Sequence, residues 1–168
     1  SLSAANLNIA ECLKVNEDLR GMGTTLVVLI IVNEQAFWVS VGDSSLLSLN
    51  KNNEIRLLNE DHSMRPVLDK LVESGALEKD HPDYQKKINQ LRSALTGKKV
   101  ELYDLNNEGS CLNDSKYLVL STDGLDTLTR DEVRAIMVAN AKKGPKKIAS
   151  ELINAIDEKC APRQDNTT

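Results

Sequence analysis

Cysteine is scarce in this sequence, and the cysteines are far apart. The 168 residues contain three of them, Cys12, Cys111 and Cys160, and no CxxC pair. A zinc knuckle needs cysteines at short spacing, and a disulfide framework needs a paired set in a small chain. The sequence therefore predicts neither of these, and it favours a reducing, cytoplasmic setting.

Long hydrophobic runs and an excess of basic charge are also lacking. The longest apolar run, LVVLIIV, ends after seven residues, well short of the roughly 20 that a membrane-spanning helix needs. No basic leader precedes an apolar stretch at the start, so we expect no secretion signal. The net charge is −4, whereas a nucleic-acid-binding protein normally has a basic face. We therefore expect neither a membrane segment nor a nucleic-acid partner.

What the sequence does contain is typical of one soluble α+β domain. Apolar residues make up 40% and charged residues 27%, and a chain of this length can bury a core. A β-branched run at 26–32 predicts a strand buried on both faces. Residues 36–49 predict a second long strand and 55–59 a third, so that 24–59 form an antiparallel meander.

Helices are predicted mainly at the two ends of the chain. Residues 4–20 have helical apolar spacing that stops at Gly21. Near the other end, Thr129 and Glu132 have the spacing of a capping box. The last helix begins near Pro145 and has one apolar face. That face comprises Ile148, Ala149, Leu152, Ile153 and Ile156.

Three aspartates lie where strands are predicted to end or begin. Asp43 lies in VGDSS, Asp123 in LVLSTDG and Asp165 in RQDNTT. Buried carboxylates are costly unless a cation neutralises them, and oxygen ligands without His or Cys suit Mg²⁺ or Mn²⁺. Each aspartate also has a simpler explanation, because DG and DN are common turn dipeptides.

Six short motifs occur in a fixed order along the chain: GMGTT, VGDSS, NEDHS, LRSALTG, YLVLSTDGL and a final DN. Together they resemble the metal-dependent serine/threonine protein phosphatases of the type 2C family, particularly its bacterial branch. This resemblance implies two antiparallel sheets flanked by helices in a four-layer αββα sandwich. It also implies that phosphoserine or phosphothreonine in a protein is hydrolysed by water activated at two Mg²⁺ or Mn²⁺ ions.

The resemblance also implies roles for individual residues. Asp123 and Asp165 would be ligands of the two core metals, and Asp43 would help to hold a third. Residues 62–92 would form the flap beside the active site, within a single domain that comprises residues 1–168. The partner would be a phosphorylated protein substrate.

The chain departs from the family pattern at several places. The family's N-terminal phosphate-binding arginine and DGHGG-like motif are absent, and no strand follows DNTT. Ser45 stands where the family has an arginine, and Thr96 is an additional residue before Gly97. We therefore expect a partial chain, whose catalytic groups lie in the missing N-terminal segment and which alone is inactive. The alternative is a metal-free, degenerate phosphatase domain that acts as a binding or sensing module.

Histidines and serines are not predicted to be catalytic. Asp61 or His62 is expected to bond the backbone where the flap begins, and His81 is expected to be solvated in a polar loop. Ser44, Ser45 and Ser121 have no His–Asp partner at recognisable spacing, so a serine nucleophile is not expected.

Overall fold

The computed structural model describes residues 1–162 and 164–168, and in that part the chain is α+β. The helices are Leu2–Val15 (α1), Arg65–Glu73 (α2), Pro82–Lys87 (α3), Arg130–Asn140 (α4) and Pro145–Lys159 (α5). The strands are Leu26–Val32 (β1), Gln35–Val41 (β2), Ser45–Asn50 (β3), Ile55–Leu57 (β4), Asp104–Cys111 (β5) and Ser115–Ser121 (β6). Short 3₁₀ helices are formed by Glu17–Leu19, Asp123–Thr127 and Ala141–Lys143. The predicted α+β class is confirmed.

The strands form two three-stranded sheets, with the orders β1-β2-β5 and β4-β3-β6. In the second sheet β3 is the central strand and is antiparallel to both neighbours, so that Leu47 faces Leu57 on one side and Val119 on the other. In the first sheet, β1 and β2 are joined by Asn33 and Glu34, both with positive φ. Two such residues form the tight turn that suits the twist of a hairpin.

The prediction of one long strand at 36–49, within a single meander, is wrong. The chain leaves the first sheet after Val41 and enters the second at Ser45. Gly42 lies between them with φ +100°, and a Cβ atom there would lie 2.3 Å from Thr25 Cγ2. The sequence does contain a signal for this break, because the four residues GDSS interrupt the apolar pattern between Val41 and Leu46.

The prediction that β1 is buried on both faces is also wrong. Ile30 keeps 56% and Ile31 54% of their surface exposed, and β1 is at one end of the strand order. A run of β-branched residues indicates that a strand forms, because such side chains fit a pleated surface. It does not indicate whether another layer covers both faces of the strand.

The chain divides into two compact units that alternate along the sequence. One comprises Ser1–Ile30, Phe37–Asp43 and Glu60–Glu108, and the other comprises Ile31–Ala36, Ser44–Asn59 and Gly109–Thr168. The single domain at 1–168 with a flap at 62–92 stays a prediction. Among the described helices, none has the length and apolar character needed to cross a membrane.

The second unit has a core between β3 and the last two helices. Leu47 and Leu49 of β3 pack with buried residues of α4 and α5. Those helical residues are Val133, Met137, Ile148, Leu152 and Ile156. The predicted capping box of α4 is confirmed, because Thr129 and Glu132 bond each other's backbone N–H groups. Ala149 and Ile153, predicted on the apolar face of α5, are instead exposed.

The first unit contains α1, α2 and α3. Helix α1 ends at Val15, so the predicted helix at 4–20 finishes in a 3₁₀ turn before Gly21, whose φ is +88°. Residues 62–92, hereafter the 62–92 segment, contain α2 and α3, and its two ends meet where Ser63 bridges to Leu91. Strand β5 was not predicted, because its sequence, DLNNEGSC, is rich in residues that disfavour strands.

Candidate functional site

Asp123 is placed by the end of strand β6. The strand finishes at Ser121, Thr122 keeps an extended backbone, and Asp123 begins a 3₁₀ turn. The backbone N–H groups of Asp123 and Gly124 in this turn bond the Asp123 carboxylate. The prediction that Asp123 lies at the end of a strand is therefore confirmed.

The segment that contains Asp165 packs directly against this turn. The backbone N–H of Thr122 donates to Thr168 O at 3.2 Å, and the N–H of Thr168 donates to Thr122 Oγ1 at 3.1 Å. Thr122 Oγ1 also donates to Asn166 O at 3.2 Å. The structure thus brings together the STDG and DNTT motifs, which lie more than 40 residues apart in sequence.

Gly124 allows the two segments to lie this close. A Cβ atom at Gly124 would lie 2.3 Å from Thr167 Oγ1 and 2.5 Å from Asn166 O. No side chain fits in that space without moving the DNTT backbone. The glycine of STDG is therefore needed for this contact.

The charges around Asp123 make its ionised form costly. Burial raises the pKa of Asp123, and the negative charges of Asp165 and Asp126 raise it further. The backbone N–H groups of Asp123 and Gly124 lower this pKa, but they do not cancel the increase. A bound cation would offset the cost of the negative charge on Asp123.

Whether these residues fit a divalent metal depends on the kind and number of donors. The donors near Asp123 are carboxylate oxygens, which suit Mg²⁺ and Mn²⁺, and the raised pKa indicates a site short of positive charge. Within residues 1–162 and 164–168, however, no group of three or more His, Cys, Asp or Glu side chains is arranged to hold a metal ion. Asp123 and Asp165 thus fit as part of a metal site, and further ligands would be needed to complete it.

Asp126 and Arg130 belong to the same neighbourhood, and the sequence analysis did not identify them. Arg130 Nη2 lies 3.5 Å from Asp126 Oδ1 and 3.4 Å from Ser45 Oγ. The pair has the i,i+4 spacing of a helical ion pair, which could have been read from the sequence. The contact with Ser45 depends on the fold and could not.

Asp43 lies in the first unit, directly after Gly42, and is about half-buried. The Gly42 N–H donates to His62 Nδ1 at 3.2 Å, and Asp61 Oδ1 accepts from the Ser63 N–H at 2.7 Å. The predicted backbone bonding by Asp61 or His62 is confirmed. His81 is exposed, as predicted, and caps α3 by accepting the Asp83 N–H at 3.1 Å. A metal site that joins Asp43 with Asp123 and Asp165 stays a prediction.

Comparison with known proteins identifies relatives that are named as protein phosphatases. No family model matches the chain. It is 32% identical over 127 residues to the protein phosphatase PhpP of Streptococcus pneumoniae. These aligned residues cover 74% of this chain and 49% of that protein. The chain thus spans about half the length of the curated relatives of this kind. It is also 40% identical over 86 residues to the serine/threonine phosphatase Stp of Listeria welshimeri, covering 51% of this chain and 32% of that protein.

Solved structures share the fold over nearly the whole chain. The serine/threonine phosphatase of S. agalactiae superposes with a TM-score of 0.77 at 24% identity, covering 99% of this chain and 64% of that one. A catalytic domain of the phosphatase PstP, in complex with two manganese ions, gives a TM-score of 0.66 at 24% identity, covering 90% and 59%. The fold is therefore that of bacterial protein phosphatases. The sequence relatives define the class more closely: this chain is homologous to bacterial serine/threonine phosphatases of the type 2C family, among them Stp and a putative 2C-type protein phosphatase of Streptococcus pyogenes that is 28% identical over 123 residues.

Proposed function

We propose that the whole protein that carries this chain is a metal-dependent phosphatase acting on phosphoserine or phosphothreonine in proteins. The observation that carries the proposal is the packing of STDG against DNTT, which sets Asp165 beside a half-buried Asp123 with a raised pKa. Sequence similarity to PhpP and Stp supports the same activity. A phosphorylated protein would be the partner, and Mg²⁺ or Mn²⁺ the cofactor.

The roles of this chain's residues follow from their charge and position. Asp123 and Asp165 would hold the core metal ions, and Asp43 would contribute to a third. Such ions lower the pKa of a bound water and neutralise phosphate oxygens during an in-line displacement. The STDG turn would orient Asp123, because the N–H groups of Asp123 and Gly124 bond its carboxylate. Asp126 would add negative charge beside the site, and Arg130 would hold Asp126 in place.

We also propose a cytoplasmic location for this activity. The three cysteines, Cys12, Cys111 and Cys160, are unpaired and exposed in the described chain. Exposed thiols of this kind are typical of proteins that work in a reducing compartment.

Replacing the core aspartates tests the metal proposal directly. In the whole protein, Asp123→Asn and Asp165→Asn should each lower Mn²⁺ affinity by more than ~100-fold, because loss of a direct ligand exceeds the ~10–100-fold effect of outer-shell changes. Isothermal titration calorimetry with MnCl₂ measures this affinity without relying on turnover. Phosphatase activity on a phosphothreonine peptide should fall with it.

Asp131→Asn is the matched control, because Asp131 is an exposed carboxylate on α4 that pairs with Arg134. Its Mn²⁺ affinity should equal that of the wild type. Unchanged Mn²⁺ binding in both core variants would refute the roles of Asp123 and Asp165. A wild-type protein that binds no Mn²⁺ and yet captures phosphopeptides would instead be the metal-free binding module.

A further inference from the structure

His62 is completely buried, with no exposed side-chain surface, and it is bonded twice to one residue of the Asp43 turn. Its Nδ1 accepts the Gly42 N–H at 3.2 Å, and its own backbone N–H donates to Gly42 O at 3.1 Å. Gly42 immediately precedes Asp43. Both polar groups of the Gly42 backbone are therefore satisfied by His62, which fixes the place where the turn begins.

The hydrogen bonds also determine the form of the imidazole. Because Nδ1 is an acceptor, the ring proton is on Nε2 in the neutral side chain. Nε2 has no hydrogen-bond partner among the described residues, and the carboxylate of Glu60 lies 3.8 Å from it. Burial lowers the pKa of His62, although the nearby charges of Glu60 and Asp104 act in the opposite direction. A neutral ring keeps the lone pair that Gly42 needs.

The other side of His62 connects to the base of the 62–92 segment. Its carbonyl accepts the Arg92 N–H at 2.8 Å. The Arg92 guanidinium then donates to Ser63 O at 2.7 Å and to Asp61 O at 3.2 Å. The two ends of the segment are thus held together at the residue that also holds Gly42.

We propose that His62 is a positioning residue that fixes the Gly42–Asp43 turn and couples it to the base of the 62–92 segment. It acts through Asp43 and does not itself contact the reacting atoms. The proposal rests on the proposed function for the role of Asp43, whereas the clamp on Gly42 is independent of it. A change in the base of the segment would move the Asp43 turn, because His62 is bonded to both: its side chain and backbone N–H bond Gly42, and its backbone carbonyl accepts from Arg92.

The clamp is tested by amide hydrogen exchange at Gly42, followed by NMR in the whole protein. His62→Leu should speed exchange at Gly42 by at least ~10-fold, because a protected buried amide loses its acceptor. His62→Asn should restore most of the protection, since its amide oxygen can take the place of Nδ1. Unchanged Gly42 exchange in a folded His62→Leu protein would overturn the proposal.

His81→Leu is the matched control. His81 also accepts a backbone N–H through Nδ1 and lies in the same 62–92 segment, but its donor is Asp83. Exchange at Gly42 should be unaffected by this change. If His62→Leu does not fold, the ¹⁵N spectrum of the wild-type imidazole decides: a proton on Nδ1, or a charged ring at neutral pH, contradicts the clamp.

A double-mutant cycle with Asp43→Asn tests whether His62 acts through Asp43. His62→Leu should reduce kcat on a phosphothreonine peptide by ~10-fold in the wild type and by less than ~2-fold in the Asp43→Asn protein, because residues that act as a unit are not additive. Fully additive losses would overturn the coupling. If the wild type shows no metal-dependent turnover, the proposed function fails and the coupling to Asp43 fails with it. The exchange data then still decide separately whether His62 clamps Gly42.

Discussion

Gly42 has φ +100°, and its Cα lies so close to Thr25 that a Cβ atom would be 2.3 Å from Thr25 Cγ2. Asp123, a candidate metal ligand, has a raised pKa because of burial and neighbouring carboxylates. The sequence could predict that Asp123 follows a strand, since β6 is an apolar run. It could not predict the Gly42 contact or the reach of Arg130 to Ser45, because both join residues that are far apart in the chain.

Replacing Gly42 with alanine should cost more stability than the same change at Gly75. Both residues have positive φ, but a Cβ atom at Gly75 would meet nothing within 4 Å. Gly75→Ala should lower the free energy of unfolding by about 1–2 kcal/mol, the cost of a left-handed backbone for alanine. Gly42→Ala should lose at least ~1 kcal/mol more, in line with overpacking elsewhere. Urea denaturation measures both, and equal losses would show that the Thr25 contact is easily relieved.

The start of helix α4 was predicted correctly from the sequence, whereas strand β5 and the bounds of β2 and β3 were not. The start of α4 depends on a spacing of three residues, Thr129 to Glu132, and the structure has the reciprocal bonds that this spacing predicts. Strand β5 depends on its contact with the remote strand β2, so local patterns did not reveal it, whereas the division between β2 and β3 is marked locally by GDSS at 42–45. The exposure of Ile31 likewise depends on layers that a local pattern does not describe.

The capping box of α4 should make stability depend on acidity in a defined range. Hydrogen bonds from Lys159 and from Thr129 lower the pKa of Glu132 from 4.5 to about 2. A carboxyl with a lowered pKa in the folded state stabilises the fold above its unfolded pKa, and this contribution is lost as the pH falls towards the folded pKa. Glu132→Gln should therefore be less stable than the wild type above pH 4.5, and the difference should vanish near pH 2.

Chemical denaturation at a series of pH values measures this difference. Lys159→Met removes the donor that lies 2.8 Å from Glu132 Oε2, so it should narrow the pH range over which Glu132 contributes. A Glu132→Gln profile parallel to the wild type over the whole range would contradict the prediction.

The fold class as a whole was predicted from six motifs in order, and the homologues confirm it. Two of the motifs lie at strand ends in the structure: VGDSS lies between β2 and β3, and YLVLSTDGL contains the end of β6. The pairing of strands into two sheets could not be read from the motifs, since β2 and β3 are consecutive in sequence but lie in different sheets. The stability of the second unit depends on its core, in which α4 and α5 pack with β3.

Two neighbouring residues of α5 differ in burial, so alanine substitutions at them compare the effect of core packing with that of helix propensity. Leu152 is 4% exposed and Ile153 is 36% exposed. Leu152→Ala should lower the free energy of unfolding by about 2–5 kcal/mol, the usual cost of a cavity in a core. Ile153→Ala should cost less than half as much, because less apolar surface is buried there. Guanidinium denaturation followed by far-UV circular dichroism compares them, and a larger loss for Ile153→Ala would contradict this view of the core.

Trp38 on β2 donates from Nε1 to Asp104 Oδ2 at 2.8 Å, and the Glu60 N–H donates to the same oxygen at 3.1 Å. These 168 residues contain one tryptophan, so the red-most ultraviolet emission of this chain comes from a single indole. Indole emission changes colour with the polarity around the ring. Trp38 fluorescence can therefore report on the segment that leads into His62, because the Asp104 carboxylate bonds both the indole and the Glu60 N–H.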